Sequence, residues 1–374
     1  MYYPQKVFVD RQSLDFPLTQ RILKNLSHVP VEVIENIQES IEEAKIARNS
    51  VGEGKKFILV TQQKGYFVKP CPCTPRYIGC NYYIINTDLH CPMDCSYCIL
   101  QSYLKNPLIT VFVNDQDLWK QLDHFLCQKR STLRIGTGEL GDSLALDHIT
   151  ERSRDLISYF ADKMNVFFEL KTKTTNIENI MEVDPPENVI IAWSLNANKI
   201  VLSEEKNTPD VRERIAAARL VSERGYKTAF HFDPLVHYPG FGEDYADVID
   251  CLFSSIDPER IAWISLGSLR FPQELEPVIQ ARFPHSKIIY DEFIRGKDGK
   301  LRYFKPLRIR LYREISQCIR EKGEDKIPLY LCMETREIWR EGLKKTPRGK
   351  IDIEKYLTLP LSVMSKADCW RKSG

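Results

Sequence analysis

The chain has 374 residues, of which 43% are hydrophobic and 28% charged, and its formal net charge is +2. These proportions are ordinary for a globular protein with a large core, and the balanced charge excludes a polycation that binds nucleic acid over its whole surface. No run of eighteen apolar residues occurs, which excludes a membrane-spanning helix, and the first residues, MYYPQKVFVDRQ, lack the hydrophobic stretch of a signal peptide. We therefore expect a cytoplasmic protein without a membrane partner, in which eleven cysteines favour metal binding over disulfides.

The first 79 residues are predicted to form an N-terminal extension that is largely helical. Val31, Ile34, Ile37 and Ile41 recur at intervals of three and four residues, which is the spacing of one face of a helix. The short apolar run FILVTQ is predicted to be a strand, and GYFVKPCPCTPRYIGC is predicted to be a connector rich in proline and cysteine.

From residue 80 to residue 272, short β-rich runs alternate with helical stretches. The predicted strands are CNYYIIN, TLRIGTG, NVFFELKT, NVIIAWSLN, YKTAFHFDPL and RIAWISLG. Six such units with short connections favour parallel strands joined by right-handed crossovers. Because a complete eight-unit barrel takes about 250 residues, six units predict an α/β fold with a partial (β/α)6 barrel of the TIM type. Polar residues at the carboxyl ends of its strands are then candidates for a functional site.

Residues 273–374 are predicted to form a basic C-terminal subdomain. The segment IIYDEFIRGKDGKLRYFKPL predicts a β-hairpin that turns at residues 297–300, because Asp-Gly is a strong turn signal. A helix and the run PLYLCMET follow it. From Arg295 to Lys350 there are 17 Lys and Arg against 8 Asp and Glu, which is typical of a phosphate-bearing partner but also of a solvated helical surface.

Cys91, Cys95 and Cys98 form the most informative motif, C-x3-C-x2-C, directly after the first strand of the repeat. A zinc site of three thiolates and His90 is one alternative, although the adjacent His90 and Cys91 would have difficulty reaching one ion. A [4Fe–4S] cluster is the other alternative. It normally takes four cysteines, so three would leave one iron open to an external ligand.

The motif and its position resemble the radical S-adenosylmethionine (SAM) enzymes, whose motif has an aromatic residue, here Tyr97, before the last cysteine. This resemblance implies a [4Fe–4S] cluster on Cys91, Cys95 and Cys98, with Tyr97 packed beside it. It also implies that the amino and carboxylate groups of SAM chelate the fourth iron. One electron from the cluster would then break a C–S bond of SAM and release a 5′-deoxyadenosyl radical.

Other residues at strand ends fit the same resemblance as contacts of SAM. Glu139, in GTGE, is expected to accept from the SAM ammonium, and Lys173 to pair with the SAM carboxylate unless it is a plain surface lysine. Ser194 and Asn196 are candidates to bond the ribose or the carboxylate, although Asn196 could equally be a turn residue. His231 ends the fifth strand, where a backbone carbonyl often meets adenine in the superfamily; a core histidine is the alternative.

Over most of residues 65–340 the sequence is similar to the spore photoproduct lyase family. The shared elements are CSYCILQ-x-YL, DSLALDHIT, TK-x3-I, S-x-N and PLYLCMET. Members reverse a thymine–thymine adduct in DNA: the deoxyadenosyl radical removes a hydrogen, the methylene bridge fragments, and a protein thiol returns a hydrogen. The resemblance implies damaged DNA as partner and an external electron donor such as flavodoxin or ferredoxin. It also implies that Arg302 and Tyr303 of the hairpin contact the lesion, unless the hairpin only packs on the barrel.

Two positions depart from the family pattern. Aligning DSLALDH places Glu139 where characterised members have the cysteine that donates the final hydrogen, with Gly141 where a serine would stand. A carboxylate O–H bond is too strong to give a hydrogen atom easily to a carbon radical, whereas a thiol S–H bond is suited to it. Ile99 stands where the family has a tyrosine after the third cluster cysteine. The remaining candidate hydrogen donors are Tyr97, Cys71, Cys73 and Cys80.

The leading hypothesis is a radical SAM enzyme that repairs a thymine dimer lesion, the spore photoproduct, in DNA. A radical reaction on another nucleic acid or on a peptide is the alternative among enzymes. A cysteine–zinc DNA-binding module without catalytic activity is the alternative of a different class. The cysteines outside these motifs are predicted to be small core residues: Cys127, Cys251, Cys318 and Cys332.

Overall fold

A computed structural model describes residues 1–46, 49–74, 76–129, 131–323 and 325–371, with side chains described up to residue 361. The strands of these residues are, in chain order, β1 (Lys6–Asp10), β2 (Val31–Ile34), β3 (Phe57–Thr61), β4 (Val68–Pro70), β5 (Tyr83–Ile85), β6 (Asp88–Leu89), β7 (Asp94–Cys95), β8 (Ile109–Phe112), β9 (Leu133–Gly136), β10 (Val166–Thr172), β11 (Val189–Ser194), β12 (Glu205–Lys206), β13 (Lys227–Leu235), β14 (Ile261–Ser268), β15 (Arg270–Phe271), β16 (Phe293–Arg295), β17 (Leu301–Tyr303) and β18 (Leu329–Leu331).

The helices connect these strands and cover the sheets. They are α1 (Pro17–Asn25), α2 (Ile37–Lys45), α3 (Ser50–Gly54), α4 (Leu100–Tyr103), α5 (Asp115–Cys127), α6 (Asp147–Thr150), α7 (Arg152–Phe160), α8 (Glu178–Met181), α9 (Asn198–Glu204), α10 (Val211–Arg224), α11 (Phe241–Ser255), α12 (Leu275–Arg282), α13 (Lys305–Gly323), α14 (Arg336–Leu343) and α15 (Lys350–Arg371).

The larger sheet forms the wall of a partial barrel. Its strand order is β18-β14-β13-β11-β10-β9-β5-β4, and every neighbouring pair is parallel except β4 with β5. Every residue of β11 and of β14 is buried, as expected for parallel strands that are covered on both faces. The six predicted strands all lie in this sheet, which confirms the partial (β/α)6 barrel, and PLYLCMET adds β18 to the parallel set.

The N-terminal region forms a second sheet instead of a largely helical extension. Its order is β2-β1-β3-β8-β6, and β1 pairs in parallel with both β2 and β3. Ile37 and Ile41 lie in α2 as predicted, but Val31 and Ile34 lie in β2, so the helical prediction is wrong for these two residues. In a strand, residues three apart lie on opposite faces, and Val31 is exposed whereas Ile34 is buried. The pairing of β2 with β1 selects the strand over the helix that the spacing favours.

Both sheets include strands from beyond the predicted domain boundaries. β8, which follows the cysteine loop, pairs with β3 of the N-terminal sheet, and β18 pairs with β14 of the barrel. The predicted divisions after residues 79 and 272 therefore do not coincide with the limits of the sheets. In the part of the chain that the structure describes, no helix is long and apolar enough to cross a membrane.

The predicted hairpin near the C-terminus is confirmed. β16 and β17 are antiparallel, with Phe293 opposite Tyr303, and the Gly296 amide donates to the Lys300 carbonyl (2.7 Å) across the turn. Gly299 has a φ of +82°, a left-handed conformation that glycine adopts without steric cost. β15 pairs with the other edge of β17 and so connects the hairpin to the end of β14.

Candidate functional site

The three motif cysteines are neighbours on the loop that follows the first parallel strand of the barrel. Cys95 belongs to β7, which pairs with β12 so that Cys95 lies opposite Glu205. Cys91 and Cys98 pack against Cys95 in one group of side chains that also contains Met93 and Ala145. The pairing of β7 with β12 therefore holds the loop at the carboxyl end of the barrel strands.

The surroundings of these thiols suit an iron–sulfur cluster. All three are free, and burial raises the pKa of Cys95 to about 12 and that of Cys91 still more, while Lys173 and Lys55 respectively oppose this effect. Within the described ranges, no three His, Cys, Asp or Glu side chains converge tightly enough to hold a single metal ion. A four-iron cluster takes its thiolates on separate irons, and three neighbouring free thiols on one loop are the ligands that such a cluster needs.

His90, the fourth ligand of the zinc alternative, contacts the backbone elsewhere. Its φ is +63°, and its Nε2 atom lies 2.7 Å from the Asn106 carbonyl oxygen. Burial lowers the pKa of its imidazole to about 4, so the ring is neutral at pH 7. The ring thus anchors the start of the cysteine loop to the segment that follows α4, and the structure gives no support to a zinc site that includes His90.

Tyr97 and Lys173, two predicted cofactor contacts, meet at a buried carboxylate that the sequence analysis missed. The Lys173 ammonium donates to the Tyr97 hydroxyl (2.7 Å) and to Glu205 Oε1 (2.8 Å), and the Tyr97 hydroxyl donates to the same carboxylate. Arg214 forms an ion pair with Glu205 Oε2 at 2.6 Å. Burial opposes ionisation, but Lys173 and Arg214 lower the pKa of Glu205 to about 2. Glu205 therefore remains charged and fixes Lys173 beside the cysteine loop.

Ser194 and Asn196 end β11 as predicted, but the amide of Asn196 is used within the protein. Its Nδ2 donates to the Pro234 carbonyl (3.0 Å) and to Glu205 (3.5 Å), and its Oδ1 accepts from the Tyr245 hydroxyl (2.5 Å). Because both N–H groups and the oxygen have partners, the prediction that Asn196 bonds SAM is not supported. The amide links the end of β11 to β13 and α11, whereas the contact predicted for Ser194 stays a prediction.

Glu139 lies on the loop after β9, at the rim of the barrel. Its carboxylate pairs with Lys171 of β10, and the two side chains are 33% and 20% exposed. Glu139 is therefore accessible, which a carboxylate that accepts a hydrogen bond from SAM must be. Its carboxylate is also neutralised in part by the ion pair with Lys171. The preceding Gly138 has a φ of +89°, and a Cβ there would lie 2.6 Å from the Lys171 carbonyl, so the loop passes closest to β10 at a glycine.

Gly141 and Asp142 explain how this loop supports the cysteine loop. A Cβ at Gly141 would lie 1.9 Å from Asp88 Oδ2 and 3.0 Å from the His90 carbonyl oxygen, so the serine of the family pattern would require the Asp88 side chain to move. Asp142 accepts from the Thr172 hydroxyl (2.7 Å) and the Lys173 amide (2.8 Å). These bonds fix the end of β10, where Lys173 begins its path towards the cysteines.

His231 lies in the barrel interior. Its Nδ1 lies 2.6 Å from Ser265 Oγ and its Nε2 lies 2.9 Å from Glu169 Oε1, while its carbonyl accepts from the Leu195 amide (3.0 Å). Burial raises the pKa of Glu169, but His231 and Arg134 lower it to about 2. The ring is therefore held within the barrel, and the contact predicted between the backbone carbonyl of His231 and adenine stays a prediction.

A second group of thiols lies across the barrel mouth from the motif cysteines. Cys71, Cys73 and Cys80 precede β5, and the Cys73 amide donates to the Cys71 carbonyl (2.7 Å). Cys332, which directly follows β18, interacts electrostatically with Cys71 and Cys80, and its sulfur lies 3.3 Å from an Arg270 nitrogen. β18 thus brings Cys332 to the carboxyl end of the barrel. Of the four cysteines predicted to be small core residues, Cys127 is exposed, so the prediction is wrong for Cys127.

The charge of Glu139 acts on Cys71, one of the thiols of this group. Burial, followed by the charge of Glu139, raises the pKa of Cys71 well above its ordinary value, and Lys171 opposes this only in part. The thiol therefore keeps its hydrogen at neutral pH. Glu139, whose charge acts on this thiol, occupies the position of the family's hydrogen-donor cysteine.

Arg302 and Tyr303, the predicted contacts of the lesion, are both buried. Arg302 is paired with Asp298 (2.6 Å) and lies 4.1 Å from the centre of the Tyr77 ring, and the ring of Tyr303 stacks on Phe293 at 4.6 Å. Each side chain would have to leave these partners to hold a base or a phosphate. Direct contact of Arg302 and Tyr303 with the lesion therefore stays a prediction, and it requires both side chains to leave the packing of the hairpin on the barrel.

Comparisons with known proteins agree with this arrangement. A family model described as "Spore photoproduct lyase" matches residues 2–321. The spore photoproduct lyase of Clostridium acetobutylicum is 22% identical over 306 residues, which cover 80% of this chain and 89% of the relative. That of Bacillus subtilis is 22% identical over 299 residues, which cover 78% and 85%.

Solved structures show the same fold. A variant of spore photoproduct lyase has a TM-score of 0.77 at 20% identity and covers 89% of this chain and 99% of its own. Another variant, with bound AdoMet and dinucleoside spore photoproduct, has a TM-score of 0.75 at 19% identity with the same coverage of both chains. These likenesses confirm the fold, and the family model spans most of the sequence. The chain therefore belongs to the spore photoproduct lyase family.

Proposed function

We propose that this protein is a radical SAM lyase that repairs the spore photoproduct in DNA, with a [4Fe–4S] cluster bound by Cys91, Cys95 and Cys98. The observation on which this depends is the group of three free, neighbouring thiols at the carboxyl end of the barrel, in a member of this family. A solved relative holds both AdoMet and dinucleoside spore photoproduct, which supports SAM as cofactor and damaged DNA as substrate.

The residues around the thiols support the binding of SAM. When bound, the cluster and SAM supply a 5′-deoxyadenosyl radical after one-electron reduction, for which we propose a reductant of the flavodoxin or ferredoxin class. Lys173 donates two of its three N–H groups to Tyr97 and Glu205, which leaves one for the SAM carboxylate. Glu139 is exposed enough to accept from the SAM ammonium, and Ser194 is the remaining proposed contact.

The hydrogen that completes the repair comes from Cys71 in this proposal. After fragmentation, the methylene radical on one thymine takes the hydrogen of the thiol, so a C–H bond forms and the S–H bond breaks. The thiyl radical is then restored by one electron from the external reductant and one proton from water. The thiol of Cys71 is protonated, as a hydrogen donor must be, and it lies close enough to Glu139, at the family's donor position, for that charge to act on it. Cys73, next to Cys71, is the second candidate.

Repair activity is tested with the cluster reconstituted under anaerobic conditions. Protein, SAM and dithionite are incubated with dinucleoside spore photoproduct, and the products are separated by mass spectrometry. We expect thymidylyl-thymidine and 5′-deoxyadenosine from the wild type and neither from Cys95→Ala, which lacks a cluster ligand. Formation of deoxyadenosine without restored thymines would contradict the lyase function and indicate a different substrate for the same radical chemistry.

The hydrogen donor is tested by running the same reaction in D2O, where thiol hydrogens exchange. The wild type is expected to place deuterium in the new methyl group. Cys71→Ala should still cleave SAM and consume the lesion, but should give little thymine and little deuterated methyl group. Cys127→Ala is the matched control, because Cys127 is exposed on α5. Normal thymine yield from Cys71→Ala would exclude Cys71, and the same comparison would then be made with Cys73→Ala.

A further inference from the structure

Lys55 reaches the cysteine loop from the N-terminal region of the chain. It is the C-cap of α3, and only 7% of its surface is exposed. Its ammonium donates to the Met93 carbonyl and to Asp94 Oδ1 (3.0 Å), both of which lie between the first and second motif cysteines. Lysine is almost never buried to this extent without a specific partner, so the position of this charge requires an explanation.

The ammonium of Lys55 and one motif thiol meet at a single atom. The sulfur of Cys91 lies 3.9 Å from the Met93 carbonyl oxygen, which is the same oxygen that accepts from Lys55. The ammonium of Lys55 also pairs with Asp94 Oδ1 at 3.0 Å. Lys55 therefore places a positive charge directly beside the cysteine loop.

The negative charge of Asp94 does not cancel this cation, because Asp94 has a second partner. Arg282 of α12 places one nitrogen 2.9 Å from both oxygens of the Asp94 carboxylate. Two buried cations thus share one carboxylate on this side of the loop. On the other side, Lys173 and Arg214 share Glu205 in the same way. Each pair of cations exceeds its shared carboxylate by one positive charge, while the carboxylates of Glu204, which accepts from Ser96 of the loop, and of Asp142 also lie nearby.

We propose that Lys55 makes the iron–sulfur cluster easier to reduce by stabilising the negative charge that reduction adds. This inference rests on the proposed function, because it requires a cluster on Cys91, Cys95 and Cys98. The electron comes from the external reductant, and no bond of Lys55 is made or broken. A fixed cation close to a thiolate ligand acts strongly in a site screened from water, and charge and hydrogen bonding near the ligands set the potentials of such clusters.

The test compares Lys55→Met with Lys56→Met in the full-length protein after cluster reconstitution. Lys56 is the matched control, because it is adjacent in sequence but exposed and paired with Glu53. The midpoint potential is measured by redox titration followed by electron paramagnetic resonance, without SAM or DNA. We expect Lys55→Met to lower the equilibrium constant for reduction about tenfold, which is about 59 mV for a one-electron couple. Lys55→Arg and Lys56→Met should leave it close to that of the wild type.

A second variant keeps the inference testable if Lys55→Met binds little iron. Asp94→Asn removes the shared carboxylate and leaves both cations, so the midpoint potential should become more positive. An unchanged potential in Lys55→Met, an equal fall in Lys56→Met, or a fall in Asp94→Asn would overturn the inference. Absence of any iron–sulfur signal from the wild type would instead overturn the proposed function, and the inference with it.

Discussion

Two buried glutamates of this protein have similar electrostatic surroundings but hold different parts of the molecule. Glu169 accepts from the Trp263 indole and lies next to the His231 ring, both at 2.9 Å, with an Arg134 nitrogen 4.0 Å away. Glu205 accepts from Lys173 at 2.8 Å and pairs with Arg214 at 2.6 Å. Although burial opposes ionisation of both, nearby cations and donors lower the pKa of each carboxyl to about 2.

The difference lies in the elements that each carboxylate connects. The partners of Glu169 come from β9, β13 and β14, so this residue holds barrel strands to one another. The partners of Glu205 include Tyr97 of the cysteine loop and Lys173 at the end of β10. Glu205 therefore connects the barrel to the proposed cofactor site. A similar set of charges stabilises the fold in one place and the position of functional residues in the other.

Replacement of Glu205 should give the largest effect. Glu205→Gln leaves Lys173 and Arg214 buried without their carboxylate, which typically costs about 3–5 kcal/mol of unfolding free energy. Urea unfolding at pH 7 measures this loss, and the iron content after reconstitution should fall as well. The lowered pKa means that Glu205 stabilises the fold above pH 4.5, and that this contribution is lost as the pH falls towards 2. The difference in unfolding free energy between Glu205→Gln and the wild type should therefore become smaller in acid. A variant that is destabilised but binds normal amounts of iron would separate Glu205 from the cofactor site.

Replacement of Glu169 should destabilise the barrel without affecting the cysteine loop. In Glu169→Gln the amide oxygen still accepts from Trp263 and His231, and Arg134 keeps its contact with the Trp263 ring at 4.0 Å. We therefore expect a smaller loss of about 1–3 kcal/mol in urea unfolding. Iron content and SAM binding, measured by calorimetry, should remain those of the wild type. Loss of SAM binding in this variant would support a direct or indirect role for His231.

Asp88 is the opposite case, because its hydrogen bonds and nearby charges do not outweigh the effect of burial on its carboxyl group. Burial raises the pKa of Asp88 to about 6, because Thr87 and Arg152 offset it only in part. The folded state therefore keeps a proton that the unfolded state releases, so the contribution of Asp88 to stability is complete below about pH 4 and is lost as the pH rises through 6. Relative to the wild type, Asp88→Asn should gain about 2–3 kcal/mol between pH 4 and pH 7 in urea unfolding. A difference that does not change with pH would contradict this assignment.

The smallest effect is expected from Tyr97→Phe. This change removes one hydroxyl from the Glu205 network and leaves Lys173 and Arg214 in place, so the loss of unfolding free energy should be about 1 kcal/mol. Because Tyr97 was also a candidate hydrogen donor, the yield of thymine in the repair assay is measured in parallel. A normal yield would show that Tyr97 only supports the site, whereas a strong fall would favour a role in hydrogen transfer.

Much of the fold could be predicted because it depends on local signals. The six barrel strands are continuous apolar runs between helical stretches, and the hairpin turn contains Asp298-Gly299, so neither required knowledge of distant residues. The helical prediction failed at Val31 and Ile34, where pairing with β1 outweighs a spacing that also fits a helix. The strand β8 and the helix α5, which separate the cysteine loop from β9, were not predicted.

The candidate site could be predicted only in part. The spacing of Cys91, Cys95 and Cys98 was sufficient to predict a cluster, because one short loop supplies all of the proposed ligands. Residue type alone could not show that the polar groups of His231, Arg302 and Asn196 have partners within the fold.

The sequence by itself therefore determined the cluster motif, the parallel strands and the family. Only the tertiary structure assigned roles to Glu205 and Lys55, whose partners lie 32 and 39 residues away along the chain. The physical reason is that the free energy of a charged group depends on its distance from other charges and from water. Both distances are set by the folded arrangement of strands and loops, which local sequence patterns do not specify.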